Sequence, residues 1–164
     1  MNTFFLDRLN GEPHALAFAG QSTPWPVALA DQSANPMLSE ALHAHVDAAQ
    51  AYPVAADLLA TTGRPVDLFG FEPNPARLGA AAAASASVPG IALAQLGALL
   101  DATSLGYNPA VAKPVAVLGH SQGVLAVHMV QAIVEAGSVA AASVQIDEIL
   151  AIATLIGVAG TRQA

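Results

Sequence analysis

Residues 114–130 read PVAVLGHSQGVLAVHMV, and the glycines on either side of Ser121 restrict the fold more than any other stretch. Val115 to Leu118 is β-branched and aliphatic, introduced by Pro114 and closed by Gly119, which predicts a buried strand. Gly123 to Glu135 has helical spacing, with Leu125, Met129 and Ala132-Ile133 on one side and Gly137 as the stop. A strand that turns directly into a helix crowds the residues two before and two after the tip. Only a hydrogen-sized side chain fits at those places, and they are Gly119 and Gly123.

The pattern Gly119-His120-Ser121-Gln122-Gly123 satisfies G-x-S-x-G with a strand before it and a helix after it. It is expected to present the Ser121 hydroxyl on an exposed tip at the helix N-terminus. There the helix dipole and free N–H groups favour a developing oxyanion, and the Gln122 amide is one expected donor. A serine is a weak nucleophile unless a base lies within hydrogen-bond reach. The histidines are His14, His43, His45, His120 and His128. The His120 side chain is expected to point away from the hydroxyl and to pack. His128 lies roughly 10 Å further along the same helix, and His14 precedes the first strand, at the opposite end of the sheet. His43 and His45, at i and i+2, do not share a helical face; no metal pair is expected, and each reads as a surface or partly buried histidine. The residues offer a nucleophile without an evident base.

Elsewhere, HALAFAG at 14–20 predicts a short buried strand, with the loop from Gly20 to Trp25 at its end. Trp25 reads as a loop anchor, with a substrate wall as the alternative. A helix is expected from about Pro36 to Leu59, capped by Asn35 or Ser39. Thr61 to Pro75 carries several glycines and prolines and is expected to be mostly irregular. Helices are expected over Ile91 to Leu100, with Pro89 near the start, and over Asp147 to Val158, whose two leading acids suit the positive end of a helix dipole. The AAAAASAS run at 80–87 reads as a helical or loop segment. Strands separated by helices predict an α/β layer structure with a parallel sheet. Two strands are few for such a sheet, which needs both faces covered.

Of the 164 residues 54% are hydrophobic and 10% charged, against roughly 25% charged in an average soluble domain. One domain is expected, with part of its surface buried against something else. Five basic residues, scattered, against twelve acidic ones give a net charge of −7, which argues against nucleic acid or anionic lipid as partner. There is no cysteine, hence no disulfide framework or thiolate metal site. The N-terminus lacks a basic region followed by an apolar core, so no secretory signal is read and the cytoplasm is the expected location. Residues 78–100 are uncharged, but Ala and Ser dominate the first half and Pro89-Gly90 interrupts them. No membrane span is expected.

FAGQSTPW at 18–25 together with GHSQG at 119–123 resembles the paired signature of acyl-CoA:acyl-carrier-protein transacylases. GHSQGVLAV, LIGVAGT at 155–161, GFEP at 70–73 and SVPGIALAQ at 87–95 are similar to the N-terminal acetyltransferase domain of actinomycete-type bacterial and fungal type I fatty acid synthases. The likeness runs from about Leu9 to Arg162. It implies an α/β-hydrolase-like core, here partial (1–12 an N-terminal segment, 13–164 incomplete core) and lacking the family's ferredoxin-like subdomain. It implies Ser121 as the acylated nucleophile and the amides of Gln21 and Gln122 as oxyanion donors. It also implies acetyl-CoA as substrate, the phosphopantetheine thiol of a carrier protein as acceptor, and no permanently bound cofactor. Expected partners are the rest of the synthase polypeptide, its carrier domain, and further copies in a large homo-oligomer. Ser22 stands where the family motif has a second glycine, which restricts that loop. Malonyl-loading relatives hold the carboxylate with an arginine on a helix after the elbow; ILAIATLIGVAG has none before Arg162, which implies an uncharged acyl group. The family's catalytic histidine lies beyond residue 164, so the chain is expected to be an N-terminal piece, inactive alone. A small serine esterase and a non-catalytic scaffold or docking segment are the competing readings.

Overall fold

The structure, a computed structural model, describes residues 8–20, 24–62, 67–69 and 80–161. In chain order the described elements are β1 (Ala15–Phe18), α1 (Trp25–Ser33), α2 (Pro36–Ala51), α3 (Pro53–Thr62), α4 (Ala80–Ser104), α5 (Pro109–Ala112), β2 (Ala116–Gly119), α6 (Gly123–Ala136) and α7 (Ser143–Thr161). The described residues are mostly helical, with a small parallel sheet of two strands. β1 and β2 pair in the register Leu16↔Val117 and Phe18↔Gly119. Side chains alternate across a strand, so Leu16, Phe18 and Val117 pack on the core while Ala15, Ala17 and Leu118 face outward, exposed. The strands are thus half-buried rather than buried, because only one face of the sheet meets the helical core.

α4 is the central helix. Every residue from Val88 to Gly97 is buried, and α7, α1, α6 and α2 pack around it. This corrects the expectation of a helix starting at Ile91: the helix runs through Pro89, although proline supplies no amide to the carbonyl one turn back. Close packing compensates. Gly157 of α7 lies where an added β-carbon would run into the Ser85 carbonyl oxygen and come within 3.0 Å of Pro89 Cδ, so α7 approaches α4 backbone to backbone at the proline. The AAAAASAS run is helical, one of the two forms expected of it.

The helix expected over Pro36 to Leu59 is two helices. Tyr52, preceding Pro53, has ψ 133°, because the proline ring crowds the residue before it out of the helical region. Asn35 caps α2, its Oδ1 accepting from the Met37 amide at 3.2 Å, which decides between the two expected caps. Trp25 begins a helix where the sequence pattern predicts loop. It is buried against Gly90, whose added β-carbon would lie 2.5 Å from Trp25 Cε3. α7 begins at Ser143, four residues before Asp147, and the two acids therefore sit in its second turn. Most of Thr61 to Pro75, including GFEP, falls outside the described residues.

Within α4 and α7, Ser85–Ser104 and Ser143–Gly160 are long and apolar enough to cross a bilayer by length and composition. The first is 67% buried inside the protein, which accounts for its composition; the second is 39% buried and leaves Ile152 and Ile156 half exposed.

Candidate functional site

The first bend after β2 forms the elbow. Ser121 has φ 54°, the left-handed region that costs a non-glycine residue roughly 1 kcal/mol or more. His120 N donates to Phe18 O at 3.1 Å and Gly123 N to His120 O at 2.9 Å, so the turn is tied both to β1 and to itself. A β-carbon on Gly119 would stand 2.5 Å from the Gly123 carbonyl oxygen, and one on Gly123 would collide with the Phe18 carbonyl. Both glycines are thus required by backbone contacts, as the sequence motif implies.

Ser121 is exposed and its hydroxyl donates to the Gln122 side-chain Oε1 at 2.8 Å. Gln122 itself is helical, φ −60° and ψ −19°. Val124 N and Leu125 N bond back to the Ser121 and Gln122 carbonyls, while the Ser121 and Gln122 amides meet no carbonyl among the described residues. These free donors at the start of α6 are what an oxyanion would use. Gly20, leaving β1, lies directly against the elbow: its added β-carbon would be 2.5 Å from His120 O and 2.8 Å from Ser121 Cβ. Gln21 follows it and lies outside the described residues.

No described histidine bonds to Ser121. His120 is exposed, which corrects the expectation that it packs: the turn directs it to solvent. His14 is held at the far end of β1, between the Glu12 carbonyl at 2.9 Å and Tyr107 Oη at 2.8 Å. His43 stacks on Phe69 with ring centroids 3.7 Å apart. His45 pairs with Asp147 of α7 at 2.6 Å, both side chains largely buried. Residues 45 and 147 are far apart in sequence, and nothing local predicts their pairing.

Gln95 carries no signal in the sequence pattern either. It is a buried polar residue in the apolar α4, and its amide donates to the Ala19 carbonyl at 2.5 Å. This pins the end of β1 immediately before the Gly20 contact. Its Oε1 is buried without a hydrogen-bond partner. No group of three or more potential metal ligands occurs among the described residues. Comparisons of the chain with models of protein families, with curated proteins and with solved structures find no match.

Proposed function

We propose that this chain carries the nucleophile and oxyanion site of an acyl transferase, with Ser121 accepting an uncharged acyl group from a coenzyme A thioester. The observation that carries the reading is the left-handed Ser121, held between glycines at which an added β-carbon would run into backbone atoms. Strain of this kind persists only where the surroundings enforce it, and it concentrates at functional sites. In the first step Ser121 Oγ attacks the thioester carbonyl, its proton passes by way of a base to the CoA sulfur, and the C–S bond breaks to release CoA as the free thiol. In the second, the phosphopantetheine thiol of a carrier protein attacks the serine ester, the C–O bond breaks, and the thiol proton passes by way of the base to Ser121 Oγ. The Gln122 amide, and by resemblance that of Gln21, stabilise the oxyanion in both. The partial α/β-hydrolase-like core and the place in a type I fatty acid synthase belong to this proposal, supported by the motifs and by the strand–elbow–helix geometry. The base is assigned to residues outside those described.

A second reading has its own support. The Ser121 hydroxyl is satisfied by Gln122 rather than by an imidazole, which suits an elbow kept as a structural joint in a scaffold segment. Incubation with a serine-reactive fluorophosphonate separates the two. A Ser121 adduct that is absent in Ser121→Ala supports the transferase; an unlabelled Ser121, with or without the adjoining polypeptide, supports the joint.

A further inference from the structure

The outer faces of α6 and α7 form a groove of about 480 Å³. Its floor is apolar: Val124 and Leu125 from α6, Ile149 and Ile152 from α7, with Val124 and Ile152 43% and 50% exposed. Ile156, one turn beyond Ile152 and likewise 50% exposed, continues the stripe. Glu135 and Glu148 stand on the lining, and no lysine or arginine does. The lining residues of α6 run from 124 to 135 on one face, about 16 Å at roughly 1.5 Å per residue, which matches about three turns of a third helix. Burying the stripe is favourable by the ordinary hydrophobic effect; the two carboxylates decide what can bury it. They repel an acidic surface and favour a cationic one.

We propose that the α6–α7 groove docks a cationic amphipathic helix of another polypeptide, its apolar stripe on the floor and its lysines or arginines against Glu135 and Glu148. A second copy of this chain is a poor occupant by charge, since none of the helices α1 to α7 contains a lysine or arginine. The mode is helix-in-groove recognition, with apolar anchors at i, i+3, i+4 and i+7 giving affinity and flanking charge giving selectivity.

The test uses two fluorescein-labelled helical peptides of about fourteen residues, one of leucine and lysine and one of leucine and glutamate, titrated into the 164-residue chain and read by anisotropy. The lysine peptide is expected to bind and the glutamate peptide to bind at least tenfold more weakly. Ile152→Asp, at a half-exposed position, should weaken the lysine peptide at least tenfold. The double variant Glu135→Gln/Glu148→Gln should weaken it several-fold and flatten its salt dependence. Val111→Asp, on the short helix α5, is the control that changes nothing. The proposal is overturned if neither peptide binds, if both bind alike, or if binding persists unchanged in the groove variants. It is overturned equally if the chain self-associates in sedimentation and Ile152→Asp abolishes that association, because a second copy is then the occupant.

Discussion

Gly20 backs directly onto Ser121: a β-carbon added to Gly20 would lie 2.8 Å from Ser121 Cβ and 2.5 Å from the His120 carbonyl oxygen. The end of β1 and the tip of the elbow are therefore one structural unit, and Gln95 ties that unit to the core through Ala19.

Substituting the elbow glycines tests this directly. Gly20→Ala, Gly119→Ala and Gly123→Ala each force a methyl group against backbone atoms, and overpacking of this kind costs about 1–3 kcal/mol. Gly160→Ala, where an added β-carbon meets nothing within 4 Å, should be neutral or stabilise by up to about 1 kcal/mol through helix propensity. Urea denaturation of the four variants should order them in this way.

Ser121→Gly should stabilise the fold by roughly 1 kcal/mol, because glycine adopts φ 54° without the steric cost. Ser121→Ala keeps the strain and should not. Stabilisation by glycine but not alanine, in parallel melts, identifies backbone strain as the cause.

The elbow is legible in the amino-acid sequence because its information is local: two glycines, an aliphatic run and a helical run within seventeen residues. β1, β2 and α6 lie within two residues of their expected ends for the same reason. What periodicity misplaces depends on long-range packing. Pro89 reads as a helix start, yet α7 approaches so closely at Gly157 that the helix continues through it. Trp25 follows a loop-like stretch, yet the bare backbone of Gly90 on α4 receives it and a helix begins there. His45 and Gln95 gain their partners only once α2 meets α7 and α4 meets β1.

The His45–Asp147 pair crosses from α2 to α7. A double-mutant cycle with His45→Ala and Asp147→Ala should give a coupling of about 1 kcal/mol at neutral pH. A coupling near zero would assign the stability of that helix contact to apolar packing alone.

Alkaline pH should weaken the fold. Burial raises the Tyr107 phenol above its ordinary value. Tyr52 is raised as well, by desolvation first and then by Glu148 and Asp147. Both folded-state values lie above the unfolded value, so the stabilisation is fully present below the ordinary tyrosine value of 10.0 and is lost as pH rises through the folded values. These are the only two tyrosines, so the absorbance rise near about 295 nm should have its midpoint above that of free tyrosine. Glu148→Gln should lower the Tyr52 component.

Gln95→Leu should cost about 0.5–1.5 kcal/mol, the net worth of its hydrogen bond to the Ala19 carbonyl. It should also slow labelling of Ser121 while leaving the helical circular dichroism unchanged. Unaltered labelling would show that the β1 end needs no help from α4.

The central claim is that Ser121 is a nucleophile, and mass spectrometry of the chain after incubation with acetyl-CoA and, separately, malonyl-CoA tests it most directly. The account predicts an acetyl ester on the peptide containing Ser121, absent in Ser121→Ala, favoured over malonyl, and formed once the polypeptide proposed to carry the base is supplied. An intact Ser121 under those conditions, or an acetyl group retained in Ser121→Ala, would contradict it.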